Sequence, residues 1–264
     1  MSSTTHTPPS QRASASVIGA IALHAGRTLR GWSRTPAILV QSLGMPVAML
    51  LIIAFMFGNA VEMATGRPAV QGLVPLMICT GPMFAGATSA AGLVTERQEG
   101  LFTRFRTLPG VAVSPLVGRV LAEVVRGTVG AALILVTGLF MGYRLENPLA
   151  VVGILALAAL VSLAFSCFLT WVGMVARTPE ATVAALPVMM IMMFCNSGFM
   201  PVDGFPSYMQ GIVRINPLST VVEAMNVCAG TAGAGGSVVP ALLWLVGAAA
   251  VGTLLLAATA RRRR

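Results

Sequence analysis

Glu123 and Arg126 stand three residues apart in an otherwise apolar stretch, with Arg119 one turn earlier. On a helix that spacing puts them on one face, close enough to pair with each other. Ionisable groups among apolar residues mark chemistry or ion passage when lipid surrounds them. The group reads first as a structural ion pair at the end of a span and second as a proton relay. A second set, Glu96, Arg97 and Gly100, opens a stretch that runs to Pro109. Within it Leu101, Phe105 and Leu108 recur at i, i+4 and i+7, Phe102 lies beside them, and Arg104 and Arg106 supply charge. That is a short helix with an apolar edge and an arginine edge, ended by Pro109-Gly110. The apolar edge either meets a partner protein or dips into a membrane interface. A third set is Met189 and Met193 in a methionine-rich run, with Asn196 beyond it. Methionine is flexible and polarizable and suits varied apolar ligands. The same residues would also serve as lipid-facing filling.

Beyond these, the sequence offers little chemistry. There is no H-E-x-x-H, no G-x-S-x-G and no G-x-x-x-x-G-K. All 17 basic residues are arginine, so a P-loop has no lysine to use. Cys79, Cys167, Cys195 and Cys228 are scattered, without a C-x-x-C pair, and His6 and His24 lack ligand spacing. No catalytic, cofactor or metal site is expected on this chain. If ATP drives its work, another subunit must bind it.

The elements that position these residues follow from composition. Of the residues, 56% are hydrophobic and 9% charged, against about a quarter charged in a soluble domain. Uncharged runs cover 35–61, 68–95, 127–143, 147–176, 181–202 and 224–260. A span needs roughly 20 apolar residues. All the runs suffice except 127–143, which must recruit the turns holding Glu123 and Arg126. The expectation is an all-α integral membrane protein whose domain, 35–260, has about six transmembrane helices. They are placed at 36–58, 70–95, 120–142, 149–176, 181–200 and 238–260. Pro75, Pro82 and Pro187 suggest kinks. Gly138 and Gly142 form a G-x-x-x-G, and Gly81, Ala85 and Ser89 line one side of the second span, both suited to close packing. Residues 201–230 suit either a re-entrant hairpin or a plain external loop, with Gly230–Gly236 as a flexible exit.

Residues 1–15 are a polar tail, expected to be disordered, with no cleavable signal peptide. On 16–34 a helical wheel gathers Val17, Ile18, Ile21, Ala25, Leu29 and Trp32 on one side and Arg27, Arg30 and Arg34 on the other; Leu23 is the misfit. This is an amphipathic helix on the membrane surface, either an anchor or a functional interface. Residues 261–264 are a basic tail. Thirteen arginines fall on the side of both termini and three on the other, with Arg126 inside a span. Basic loops stay in the cytoplasm, so both termini are cytoplasmic and the number of spans is even. The same rule explains the net charge of +9 without a nucleic-acid partner.

Two motifs together carry a family resemblance. Glu96-Arg97-x-x-Gly100 is followed by Leu108-Pro109, then by Gly118-Arg119-Val120-Leu121-Ala122 and Arg126. Further on stand Gly198-Phe199-Met200-Pro201, Phe205 to Gln210 and Asn216-Pro217-Leu218-Ser219. Over about 30–260 the chain resembles the permease subunits of ABC-2 type exporters, most of all those typified by the daunorubicin-resistance permease. The pattern departs at Tyr208, where tryptophan is usual, and at Asn226, where arginine is common. The resemblance implies a type V exporter-like fold and two such membrane subunits, identical or paralogous. It also implies two ABC ATP-binding subunits carrying the ATP and magnesium. In it Glu96, Arg97, Gly100, Phe102, Phe105 and Arg106 belong to the helix that couples to the ATPase, with the 16–34 helix beside it. Met189, Met193 and Asn196 are candidates for the substrate pathway. The cargo it implies is a hydrophobic drug, antibiotic, lipid or glycolipid leaving across the cell membrane. The competing class is an ion-gradient-driven secondary transporter or channel, which the scarcity of carboxylates deep in the spans opposes.

Threading is open to direct measurement. In a cysteine-free background, single cysteines at Thr103 and Arg262 should react only from the cytoplasm, and at Thr65 and Ser207 only from outside. Labelling of position 103 from outside would reverse the orientation.

Overall fold

The structure is a computed structural model that describes residues 19, 25–28, 30, 31, 40–100, 114–231 and 236–262. After a π-helical turn, Val40–Gly44, come α1 (Met45–Thr65), α2 (Val70–Gln98), α3 (Ser114–Phe140) and α4 (Ala150–Val175). Two short helices follow, α5 (Pro179–Val183) and α6 (Leu186–Phe194), then a 3-10 turn at Val202–Gly204. The rest is α7 (Ser207–Ile215), α8 (Pro217–Ala229) and α9 (Val239–Arg262). The chain is an all-α integral membrane protein, and α1, α2, α3, α4 and α9 are long and apolar enough to cross a bilayer. Of the expected 16–34 helix, the described residues 19, 25–28, 30 and 31 are helical; the rest lies outside the described residues.

Lipid supplies no hydrogen bonds, so the ends of these helices must find partners within the protein. Gly66, at φ 67°, ends α1 and donates its N–H to the Glu62 carbonyl at 2.8 Å. The first span therefore runs on past the expected residue 58, through Glu62. α3 begins at Ser114, earlier than expected, and takes in Arg119, Glu123 and Arg126. It stops at Phe140 because Gly142 adopts φ 94°, and the Tyr143 N–H folds back onto the Gly138 carbonyl at 2.8 Å. The G-x-x-x-G is thereby split in function. Gly138 packs on Val74, which a Cβ would meet at 2.5 Å, whereas a Cβ on Gly142 would meet nothing within 4 Å. The left-handed turn, not helix contact, accounts for Gly142.

The long helices alternate in direction. The ends of α2 and α4 and the start of α3 lie together, at what is called here the basic end for Arg97, Arg119 and Arg177. α9 descends to the same end, where Leu256 packs with Leu93, Leu116 and Met174. α2 is the most buried of the five and packs against α1, α3, α4, α5, α6 and α8.

The passage expected as one helix over 181–200 is composite. At the basic end Gln98 donates its side-chain amide to the Arg177 carbonyl at 3.1 Å. At the opposite end Gly198 abuts Gly72, so closely that a Cβ on Gly198 would stand 2.9 Å from the Gly72 carbonyl oxygen. Residues 72 and 98 of α2 are separated by about 39 Å of helix at the usual rise. Segment 177–198 therefore runs the length of α2, as a sixth passage, though neither of its helices could cross alone. Pro187 explains the break: in the first turn of α6 its missing N–H costs nothing, whereas inside a single helix it would orphan the Val183 carbonyl.

Asn216 then joins α6 to α8. Its Nδ2 donates to the Met192 carbonyl at 2.7 Å and the Cys195 carbonyl at 2.6 Å, closing the end of α6. Its Oδ1 accepts from the Leu218 N–H at 3.0 Å, capping α8. Ser219 Oγ accepts from the Ser197 N–H at 3.1 Å. α8 packs against α2, α4, α7 and α9 and ends at Gly230 in the left-handed region, φ 81°. The Glu146 N–H, in the connection between α3 and α4, donates to the Ala229 carbonyl at 2.9 Å. Segment 201–230 is thus a helical hairpin whose second arm is embedded in the protein.

The close approach of Gly72 to Gly198 gives a test. A Cβ on Gly72 would meet the Gly198 carbonyl oxygen, a backbone atom that cannot rotate away. Gly72→Val should cost about 1–3 kcal/mol through overpacking and lower the unfolding temperature in detergent. Gly58→Val, where a Cβ meets nothing within 4 Å, should leave it unchanged. Equal unfolding temperatures for the two variants would contradict the paired-glycine contact.

Candidate functional site

The basic end is built from arginines that leave one helix to satisfy another. Arg119 on α3 reaches α2, where its Nη1 pairs with Glu96 at 2.9 Å. Its Nε donates to Ser89 Oγ at 3.0 Å and its Nη2 to the Ser89 carbonyl at 2.8 Å. Two turns deeper, Arg126 pairs with Glu123 and donates to the Ala85 carbonyl of α2 at 2.9 Å. Arg119, Glu123 and Arg126 recur at i, i+4 and i+7 and so share one face of α3. They meet a stripe on α2, Ala85, Ser89 and Gly92, whose small side chains admit a guanidinium; a Cβ on Gly92 would sit 3.3 Å from Arg119 Nη2.

The Glu123–Arg126 pair forms as the spacing predicts, with side chains only 6% and 5% exposed. Glu123 Oε1 has no hydrogen-bond partner among the described residues. Arg119 does not join this pair; it turns to Glu96 on α2. No local spacing could show that, because Glu96 and Arg119 are far apart in sequence.

Arg97 extends the network to α4. Its Nη1 donates to the carbonyls of Gly173, Met174 and Ala176 at 2.8, 2.7 and 3.1 Å. Gly173 and Met174 belong to the last turn of α4, whose carbonyls lack helical donors, and Ala176 is the residue that follows it. A cation at a helix C-terminus is also favoured by the helix dipole. Gly100 sits at φ 77° just past α2 and turns the chain into the connection to α3. Phe102, Phe105 and Arg106 lie outside the described residues. Glu96, Arg97 and Gly100 thus come together at the root of the α2–α3 connection, with α3 and α4 fastened to that root.

The pathway candidates fall elsewhere. Met189 and Met193 are buried in the main core and Asn196 is wholly buried. Asn196 Oδ1 accepts from the Gly198 N–H at 2.6 Å, so it shapes the turn that brings Gly198 against α2. Met192, on the adjacent face of α6, lines a pocket of about 600 Å³ together with residues of α4, α8 and α9. Every lining residue is apolar or glycine, and Phe165, Phe168 and Trp244 supply three aromatic rings. Its residues come from four separate stretches, each of which reads by itself as ordinary span sequence.

Residues 20–228 match the ABC-2 type transporter family. The chain is 30% identical over 228 residues to a daunorubicin resistance ABC transporter permease protein, DrrB1, of Streptomyces coeruleorubidus, with 84% of this chain and 79% of the relative aligned. It is 26% identical over 224 residues to a probable doxorubicin resistance ABC transporter permease protein, DrrC, of Mycobacterium tuberculosis, with 84% and 81% aligned.

The buried pair makes a prediction about folding. Removing one partner of a buried ion pair costs about 3–5 kcal/mol, whereas apolar replacement of both is often neutral. Arg126→Met should lose folded protein and lower the unfolding temperature. Adding Glu123→Leu to it should restore most of the loss. A single variant as stable as the parent, or a double variant no better than the single, would show that the pair does not act as a unit.

Proposed function

The chain belongs to the ABC-2 type transporter family, and on that premise we propose that it is the membrane-spanning subunit of an ATP-driven exporter. A separate ABC ATP-binding subunit supplies the energy and carries ATP and magnesium; this chain has no lysine from which to build a P-loop. Two copies of this chain, or this chain and a paralogue, form the membrane part. The cargo is a hydrophobic drug, antibiotic, lipid or glycolipid, moved outward across the cytoplasmic membrane with both termini inside. Support for the cargo class comes from relatives named for doxorubicin and daunorubicin resistance.

One observation carries the reading. The connection between α2 and α3 is rooted in a junction where Glu96 holds Arg119 of α3 and Arg97 holds the end of α4. A push delivered to that connection is received by three helices together. Phe102 and Phe105 are the apolar anchors that an ATPase would grip, and Glu96 with the arginines sets the orientation. Above the junction, α2 carries Pro75 and Pro82, which have no N–H to give and so leave it easier to bend.

Truncating an aromatic anchor at an interface commonly costs about 2 kcal/mol or more, roughly thirtyfold in affinity. Phe102→Ala with Phe105→Ala should therefore weaken retention of the ATPase subunit by about that factor and abolish substrate-stimulated hydrolysis. Membrane insertion and protein level should hold. If those phenylalanines merely anchor the loop in lipid, protein level or topology falls instead and retention per inserted molecule is unchanged. A double variant that inserts, binds its ATPase at full strength and exports would refute the coupling role.

A further inference from the structure

The pocket between α4, α6, α8 and α9 has no part in the junction at the basic end. Its floor is made of residues almost completely buried: Val161 of α4, Leu218 and Val221 of α8, and Leu245 of α9. Its rim is exposed, with Trp244 at 49% and Phe168 at 40%. A hollow with a closed floor and an open rim is a pocket, not a flat helix face. Phe165 and Phe168 lie in the middle of α4, and α9 contributes residues well inside a span. The mouth therefore opens into the hydrocarbon, and only a molecule dissolved in the bilayer can reach it.

We infer that this pocket binds a flat, ring-bearing apolar compound taken laterally from the membrane, and that it is the site where the exporter receives its cargo. The volume of about 600 Å³ falls within the range of roughly 300–1,000 Å³ typical of small-molecule sites. The lining has no ionisable group, so it accepts neutral surface and would reject a headgroup or a charged amine, which must stay at the mouth. Three aromatic rings favour a planar ring system, through stacked or edge contacts, over a flexible acyl chain. Met192 can adapt to its outline. The floor also gives binding a consequence. Pro217 and Leu218 follow directly on Asn216, the residue that holds the end of α6, so a bound ring bears on the joint between the composite passage and α8.

The inference rests on the export reading for the direction of traffic, but its test does not. Trp32, Trp171 and Trp244 are the only tryptophans, so Trp32→Phe with Trp171→Phe leaves Trp244 as the sole reporter. Daunorubicin is added to this full chain in lipid nanodiscs and Trp244 quenching is followed. Saturable quenching is expected. Gly247→Phe should raise its midpoint by about tenfold or more, the scale of a lost aromatic anchor. Gly247 lines the pocket and a Cβ there meets nothing within 4 Å, so the new side chain starts from open space; Ala248→Leu is a milder filler. Gly58→Phe, on α1, should leave the midpoint unchanged. Quenching that never saturates, or that Gly247→Phe and Ala248→Leu both leave untouched, overturns the site. So does quenching by brominated acyl chains that daunorubicin does not relieve, because lipid would then hold the pocket. In the ATPase complex, export by the parent and undiminished export by the fillers would remove the pocket from the route and spare the exporter reading. Saturable, filler-sensitive binding with no export by the complex would uphold the pocket and count against the exporter reading.

Discussion

A bilayer offers no hydrogen bonds, and the ends and breaks of these helices are arranged around that lack. The last turn of α4 has carbonyls without helical donors, and Arg97 of α2 supplies three bonds to them. The last turn of α6 has the same deficit, and Asn216 supplies two. In each case the donor belongs to a different helix, so closing a helix end also fastens two helices together. Tertiary structure here is in large part a by-product of satisfying backbone.

The same logic explains why α2 is central. Its small residues leave carbonyls within reach of long side chains, and Ala85 and Ser89 are met in this way by Arg126 and Arg119. Elsewhere a second helix comes so near that only hydrogen fits: a Cβ on Gly173 of α4 would stand 2.8 Å from the Ala90 carbonyl oxygen. Among the described residues the ion pairs lie toward the basic end, whereas the other end is joined by the neutral side chains of Asn216 and Ser219 and by the Gly72–Gly198 contact.

Much of this was legible in the sequence. Charge-free runs located five long helices, because a charge deep in lipid is costly enough to leave a clear mark on composition. The Glu123–Arg126 pair was legible because its partners are three residues apart. The composite passage was not, since Met189 to Phe194 is as apolar as any span, and a single proline, Pro187, suggests a kink by itself where the fold makes it a restart. Local spacing allows Arg119 to pair with Glu123; its partner, Glu96, depends on how α2 packs on α3. The role of Asn216 was hidden for the same reason, and the pocket was invisible because no one stretch contains it. Phe102, Phe105 and Arg106 rest on the sequence alone.

The composite passage also bears on how the chain is made. A long apolar helix can leave the translocation machinery and settle in lipid as soon as it is complete. Segment 177–198 cannot do so on the same terms. The groups that close its far end, Asn216 and Ser219, are synthesised later, within the next hairpin. Until they arrive, the carbonyls of Met192 and Cys195 lack the donors that let them rest in a membrane. Integration of the last third of the protein is therefore a concerted event, in which the composite passage is completed only when α8 docks.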